Sequence, residues 1–333
     1  MTDFDLSEAM RDDMRAAWHR YIDVLVPFRP ELFRYCQKLT GNLWDAQDLV
    51  QDTLVKGFGT LGSVYHAIDN PRAWLLRIAT NQWIDIVRRR GVEANALAAE
   101  VASRGNNPGD VSSPSTSAEM HDAAETLMQR LSPQEQAAVV LKDAFDMSLD
   151  ETAQVIGTTV GAVKAALHRG RARLKDPENE SKRPVPSPKL VDAFVTRYND
   201  QDLPGLMSLM LDSASVDMLS HVSETGRNAF ERDRGWFWHN FNVEPHWPKE
   251  FLPEKIEWRC VEFQGESIAL VLNTFQGMEF LGSVMRLEEL DGKVSKIRVY
   301  ACCPEVVQAI GEVMEIQTLP PLYRIPDAFE PND

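Results

Sequence analysis

No apolar run in this 333-residue sequence is long enough to cross a bilayer as a helix, so no membrane partner is expected. The first residues, MTDFDLSEAM, lack the basic and apolar regions of a signal peptide, and a cytoplasmic chain is expected. Cysteine is scarce. Cys36, Cys260, Cys302 and Cys303 fit a reduced compartment, and their spacing matches no zinc site. The adjacent Cys302 and Cys303 read as strand-end residues rather than a redox pair. No metal and no cofactor is expected. Positive charge is in deficit, with 35 Lys+Arg against 50 Asp+Glu and a net charge of −15. That excludes a chain that is basic throughout, but not local contact with nucleic acid. Residues 1–90 hold 12 cations against 12 acids, residues 91–187 hold 10 against 14, and residues 188–333 hold 13 against 24. The excess acid lies mostly in the last part, which is therefore not the expected DNA binder. The hydrophobic content of 44% is ample for packed cores, and the length suits two or three domains.

What the sequence does have is a patterned stretch over residues 148–175, SLDETAQVIGTTVGAVKAALHRGRARLK. Ser148 followed three residues later by Glu151 forms a capping box, so a helix should start there. Gly157 suits the left-handed conformation of a helix end. Thr158 or Thr159 can cap a second helix. Along that helix Val160, Val163, Leu167 and Leu174 share one side. Lys164, His168, Arg169, Arg171, Arg173 and Lys175 crowd the rest. A short helix, a tight glycine turn and a basic helix match a DNA-reading helix-turn-helix. A helical hairpin with a solvated basic face fits the same pattern.

Upstream, residues 6–57 read as helices. Leu6 to Val26 has amphipathic spacing, interrupted by Pro27 and Pro30. A second helix runs from about Glu31 to Leu39. A third starts near Trp44-Asp45, with Ala46, Leu49, Val50, Leu54 and Phe58 inward. Its other face shows Asp45, Asp48, Gln51 and Asp52, either a solvated face or a partner surface. Asn70-Pro71 is a strong helix start. Its helix buries Trp74, Leu75, Ile78, Ala79, Ile86 and Val87, turns Asn81, Gln82, Trp83 and Asp85 toward an exposed side, and closes at Arg88–Arg90. Residues 91–119, with SRGNNPGDVSSPSTS, read as a linker. A helix over about 118–131 follows. Ser132-Pro133-Gln134-Glu135 is a second capping box, whose helix buries Ala138, Val139, Leu141 and Phe145. Residues 176–188, DPENESKRPVPSP, form a second linker.

Residues 31–90 and 120–175 resemble the second and fourth regions of an extracytoplasmic-function sigma factor. DAQDLVQDTLVKGF is similar to the family's core-binding helix. NPRAWLLRIATNQWIDIVRRR is similar to its minus-ten segment, and LSPQEQAAVVLKDAFDMSLDETAQVIGTTVGAVKAALHRGRARLK to its minus-thirty-five segment. Two motifs in order across a linker are more specific than either alone. The resemblance implies two all-α sigma domains, at 1–90 and 120–175. It implies core RNA polymerase and promoter DNA as partners, and no catalytic residue in this chain. Asp48, Gln51 and Asp52 would face the polymerase. Asn81, Asp85, Arg88 and Arg89 would contact the minus-ten strand, and Lys164, His168, Arg169 and Arg171 would lie in or beside the major groove. Ala166 departs from the family, where many members carry Arg, which leaves the base preference there open.

Residues 189–333 read as an α+β domain. A helix over KLVDAFVTRYNDQD and another from Leu203 precede a strand-like DSASVDMLSH. After an aromatic stretch come four strand-like runs, KIEWRCVEFQG, ESIALVLNTFQG, EFLGSVMRLEELDG and KVSKIRVYACC, separated by Gln-Gly and Asp-Gly turns. A last helix spans Pro304 to Met314. AFVTRYNDQDLPGLMSLMLDSASVDM carries a resemblance to the SnoaL-like, nuclear-transport-factor-2-like cone, which implies a curved antiparallel sheet around a pocket. Asp217, His221, Trp236, Trp238 and His239 are candidate lining residues, for a small-molecule or protein regulator. An Asp or His there is also the general base of a SnoaL-like enzyme, although lone Asp and His residues are usually structural. The expected function is a sigma factor modulated by its own acidic C-terminal domain. The rivals are a ligand-responsive DNA-binding regulator that works without core polymerase, and a SnoaL-like enzyme fused to DNA-binding helices.

Overall fold

Pro27 and Pro30 break the first amphipathic run where the sequence places them. Helix α1, Glu8–Leu25, gives way to a 3-10 turn at Val26–Phe28, and α2 runs Arg29–Thr40. The computed structural model describes residues 8–61, 68–104, 131–173, 185–218, 222–226 and 252–323. The chain divides into two compact units, Met1–Ser181 and Lys182–Asp333.

In the first unit, Gly41 closes α2 in the left-handed region at φ 81°. Asn42 starts α3, Leu43–Leu61, by accepting the Asp45 N–H at 2.8 Å. Asn70 accepts the Ala73 N–H at 3.0 Å and starts α4, Pro71–Arg104. Leu32, Leu39, Ala46, Leu49, Val50, Leu54, Leu75, Leu76 and Ala79 fill the space between these helices. The helix does not close at Arg88–Arg90. Residues 91–104 contain five alanines, the best helix formers, and no proline. The backbone therefore stays helical to Arg104, so residues 91–104 are not the linker expected there. The helix expected over 118–131 lies almost wholly outside the described residues.

Ser132 starts α5, Pro133–Val139, as the N-cap of a capping box. A π-helical turn at Val140–Ala144 follows, which the sequence pattern did not foretell. It brings Phe145 edge-on to Tyr35 of α2, with centroids 5.7 Å apart. Helices α6, Leu149–Ile156, and α7, Val160–Arg173, complete the unit.

The second unit begins with α8, Pro188–Asn199, and α9, Leu203–Leu209. Strands β1, Met210–Met218, and β2, Val222–Thr225, come next. Then follow β3, Lys255–Phe263, β4, Glu266–Phe275, β5, Met278–Leu290, and β6, Lys293–Val299. Helix α10, Pro304–Met314, lies after the sheet in sequence, as its pattern predicts. Gln264-Gly265, Gln276-Gly277 and Asp291-Gly292 all have positive φ at both positions, the geometry of tight hairpin turns. They force β3 to β6 to run antiparallel.

The sheet as a whole is mixed, which corrects the expected antiparallel one. Its order is β2-β1-β6-β5-β4-β3, and β1 pairs with β6 in parallel. No hairpin joins β1 to β6, so no turn dictates their relative direction. Leu190, Phe194 and Tyr198 of α8 pack over Val216, Val271, Leu287 and Ile297 of the sheet. Tyr198 packs against Trp258 with ring centroids 4.0 Å apart and the planes tilted by 39°, and the Asn199 amide both donates to and accepts from the Trp258 backbone, at 2.8 and 2.9 Å. Every residue from Glu266 to Leu272 is buried, so β4 is covered on both faces. An ion pair between Arg286 and Glu266, 2.5 Å apart, lies within that layer.

Candidate nucleic-acid interface

The helix-turn-helix forms by the local code read from the sequence. Ser148 accepts the Glu151 N–H at 3.1 Å, and Glu151 accepts the Ser148 N–H at 2.8 Å. Gly157 ends α6 at φ 73°, and the Thr158 N–H reaches back to Ala153 O at 2.9 Å. Thr159 caps α7 by accepting the Ala162 N–H at 3.2 Å. Val163 and Leu167 are buried beneath α7. Ala166 is also buried, at 7% exposure, which corrects its reading as a base-facing position. It packs inward, so the departure from Arg there fits the core.

Outward, α7 presents Lys164 and His168, both exposed and without an ion pair among the described residues. Lys142, Lys164, His168 and Arg171 line a concavity of about 490 Å³ over Leu149, Leu167 and Ala172. This surface suits a polyanion, since it gathers three or four cations along one groove.

The other two expected groove residues differ. Arg171 forks onto Asp143, with Nε donating to Oδ2 at 3.0 Å and Nη2 to Oδ1 at 2.5 Å. Arg169 turns toward α5 and donates Nε–H to Glu135 Oε1 at 2.8 Å. Arg173 donates to the same carboxylate, Nη1 to Oε2 at 2.6 Å. Burial raises the Glu135 carboxyl pKa. Hydrogen bonds from Arg169 and Ser132 and the charge of Arg173 outweigh it and hold the pKa below the ordinary glutamate value. Sequence reasoning named Glu135 only as a helix cap. The charged partners lie 34 and 38 residues away, and no local signal gives them.

On α4, Asn81, Asp85, Arg88 and Arg89 are all exposed along one stripe, at spacings of four, three and one. Arg88 approaches Asp85 at 3.9 Å. Trp83 is not on that stripe, which corrects its expected exposed position. It is 4% exposed and donates Nε1–H to Gln136 Oε1 of α5 at 2.7 Å. On α3, Asp52 is exposed and Asp48 half-buried. Gln51 is 6% exposed, a correction to its expected place on a partner surface. It lies one turn beyond the fully buried Gln47 and follows Val50, so the packed face of α3 takes it in.

In the second unit, Asp217 on β1 forms an ion pair with Lys296 on β6. His221, Trp236, Trp238 and His239 lie outside the described residues.

Residues 26–92 match the model of sigma-70 region 2, and residues 121–174 that of sigma-70 region 4. The RNA polymerase sigma-E factor of Streptomyces avermitilis is 33% identical over 151 residues, covering 44% of this chain and 77% of that protein. The chain belongs to the sigma-70 family of RNA polymerase sigma factors. The extracytoplasmic-function sigma factor SigE of Mycolicibacterium smegmatis is 31% identical to this sigma factor over 171 residues. That match covers 49% of this chain and 63% of the relative's length. The solved structure of Mycobacterium tuberculosis SigJ aligns with 86% of this sigma factor and 98% of its own chain, at 19% identity and a TM-score of 0.30.

Proposed function

We propose that this chain binds core RNA polymerase and directs promoter-specific initiation. One observation carries the reading: both sigma-70 regions occur in order on one chain, the second as a capped helix-turn-helix with a basic groove. Asp48 and Asp52 are the polymerase-facing candidates that keep exposed surface. The exposed stripe Asn81, Asp85, Arg88 and Arg89 serves the minus-ten strand, where amides and guanidinia can meet base edges and phosphates. Lys164 and His168, with Arg171 beside them, serve the minus-thirty-five duplex. Run-off transcription with purified core polymerase tests this. A sigma factor yields a transcript of defined start, while a regulator that works without polymerase yields none.

The second unit modulates that activity. Support comes from its own packed sheet and from its charge, with 24 acids against 13 cations over residues 188–333. An acidic surface competes with DNA phosphate for Lys and Arg. Truncation after Pro186 separates the possibilities. Inhibition predicts more promoter-specific transcript per soluble molecule, a bracing role predicts less, and an unchanged rate overturns modulation.

A further inference from the structure

We propose that Glu135 is a positioning residue for promoter recognition: it holds Arg169 and Arg173 off DNA phosphate, fixes the orientation of α7, and leaves the groove to Lys164, His168 and Arg171. The inference rests on the promoter-binding reading above. The Glu135 side chain is 3% exposed, whereas those of Arg169 and Arg173 are 57% and 52% exposed. Its two oxygens are all occupied, Oε1 by Arg169 Nε and Oε2 by Arg173 Nη1 and the Ser132 N–H. The arginines are four residues apart, so they lie on one face of α7. Gly170 between them is what lets the helices close. A Cβ there would meet Val139 Cγ2 at 2.9 Å.

The chemistry divides the cations of α7 into two kinds. A guanidinium leaving Glu135 for a phosphate would take a charged partner from a buried carboxylate, a costly step. Arg171 faces no such barrier. Its partner Asp143 has a side chain 39% exposed, and water can take over that carboxylate when Arg171 turns to DNA. Arg171 is therefore free to exchange partners, while Arg169 and Arg173 are committed to the protein. With both committed, α7 has one rotation about its axis relative to α5, and Lys164 and His168 meet the groove at fixed positions.

Holoenzyme made from the full chain and core polymerase tests this, with the duplex it selects from a random library as probe. Affinity is measured against salt for wild type, Glu135→Gln, Arg173→Met and Arg171→Met. Polymerase contributes equally to every arm, so differences report on α7. Arg171→Met should lower the slope of log affinity against log salt by about one. Arg173→Met should leave it unchanged. Glu135→Gln frees two arginines and should steepen it by about two, while preference for the selected over a scrambled duplex falls about tenfold. A merely structural loss would weaken binding without steepening the slope. A Glu135→Gln slope equal to wild type overturns the proposal, and so does a loss of about one in Arg173→Met, which stands even if Glu135→Gln folds poorly. A wild-type holoenzyme that selects no duplex overturns the promoter reading itself, a distinct result.

Discussion

Ser132–Glu135 and Ser148–Glu151 are the same local device in two settings. Each serine sits in extended backbone, with ψ 151° and 161°, and each glutamate accepts its serine's N–H, at 3.1 and 2.8 Å. In the second box both Ser148 and Glu151 are exposed. Hydrogen bonds from Ser148 lower the Glu151 pKa, with small additions from Arg72 and Lys142. The first box is packed under α7, and its carboxylate has become the meeting point of two arginines. A capping box fixes where a helix begins. What else its glutamate does depends on which helix lies over it, and that is decided by tertiary packing.

Breaking the buried box has the largest expected effect. Glu135→Ala removes a cap and the acceptor of two charged hydrogen bonds. Allowing for the half-exposed guanidinia, the cost is about 3 kcal/mol, measured by urea unfolding at neutral pH. The carboxyl has a lowered pKa in the folded chain. Its stabilisation is thus present above the ordinary carboxylate pKa and fades as pH falls through the lowered one. The gap between wild type and variant should close in acid.

The residue next to Glu135 gives a smaller break. Trp83→Phe keeps a ring in the buried site but removes the hydrogen bond from Trp83 Nε1 to Gln136 Oε1. Loss of one buried hydrogen bond costs about 1 kcal/mol, measured in the same way.

These two variants mark the boundary of what the sequence discloses. Both capping boxes, the Gly157 stop, the Asn70-Pro71 start and the three glycine turns of the sheet were legible, because each is written within four or five residues. So were the exposed stripe of α4 and the basic face of α7, which follow from helical period. The contacts of Trp83 and of Arg169 were not. Trp83 meets Gln136 across 53 residues and Arg169 meets Glu135 across 34, so periodicity assigned both to open surface. The parallel β1–β6 pair was illegible for the same reason, since no turn links the strands. Gln51 misled because an amide at a polar position of α3 looks solvated until α3 is packed against its neighbours.

The exposed box sharpens the comparison from the other side. Ser148→Ala removes the acceptor of the Glu151 N–H and so the cap of α6. About 1 kcal/mol is expected, the ordinary value for such a loss, since nothing else rests on that hydroxyl. Urea unfolding should show a smaller shift than for Glu135→Ala.

Glu151→Gln should have the smallest effect of all. The amide keeps an oxygen that can accept the Ser148 N–H, so the start of α6 is retained. Only the charge is lost, and that charge is exposed, where water and salt screen its attraction to Arg72 and Lys142. Thermal midpoint at neutral pH and the salt slope of DNA binding should both match wild type. The same chemical change at Glu135 is expected to steepen that slope by about two. Equal behaviour of the two Gln variants would mean that burial under α7 adds nothing to the capping glutamate, and the distinction between the two boxes would collapse.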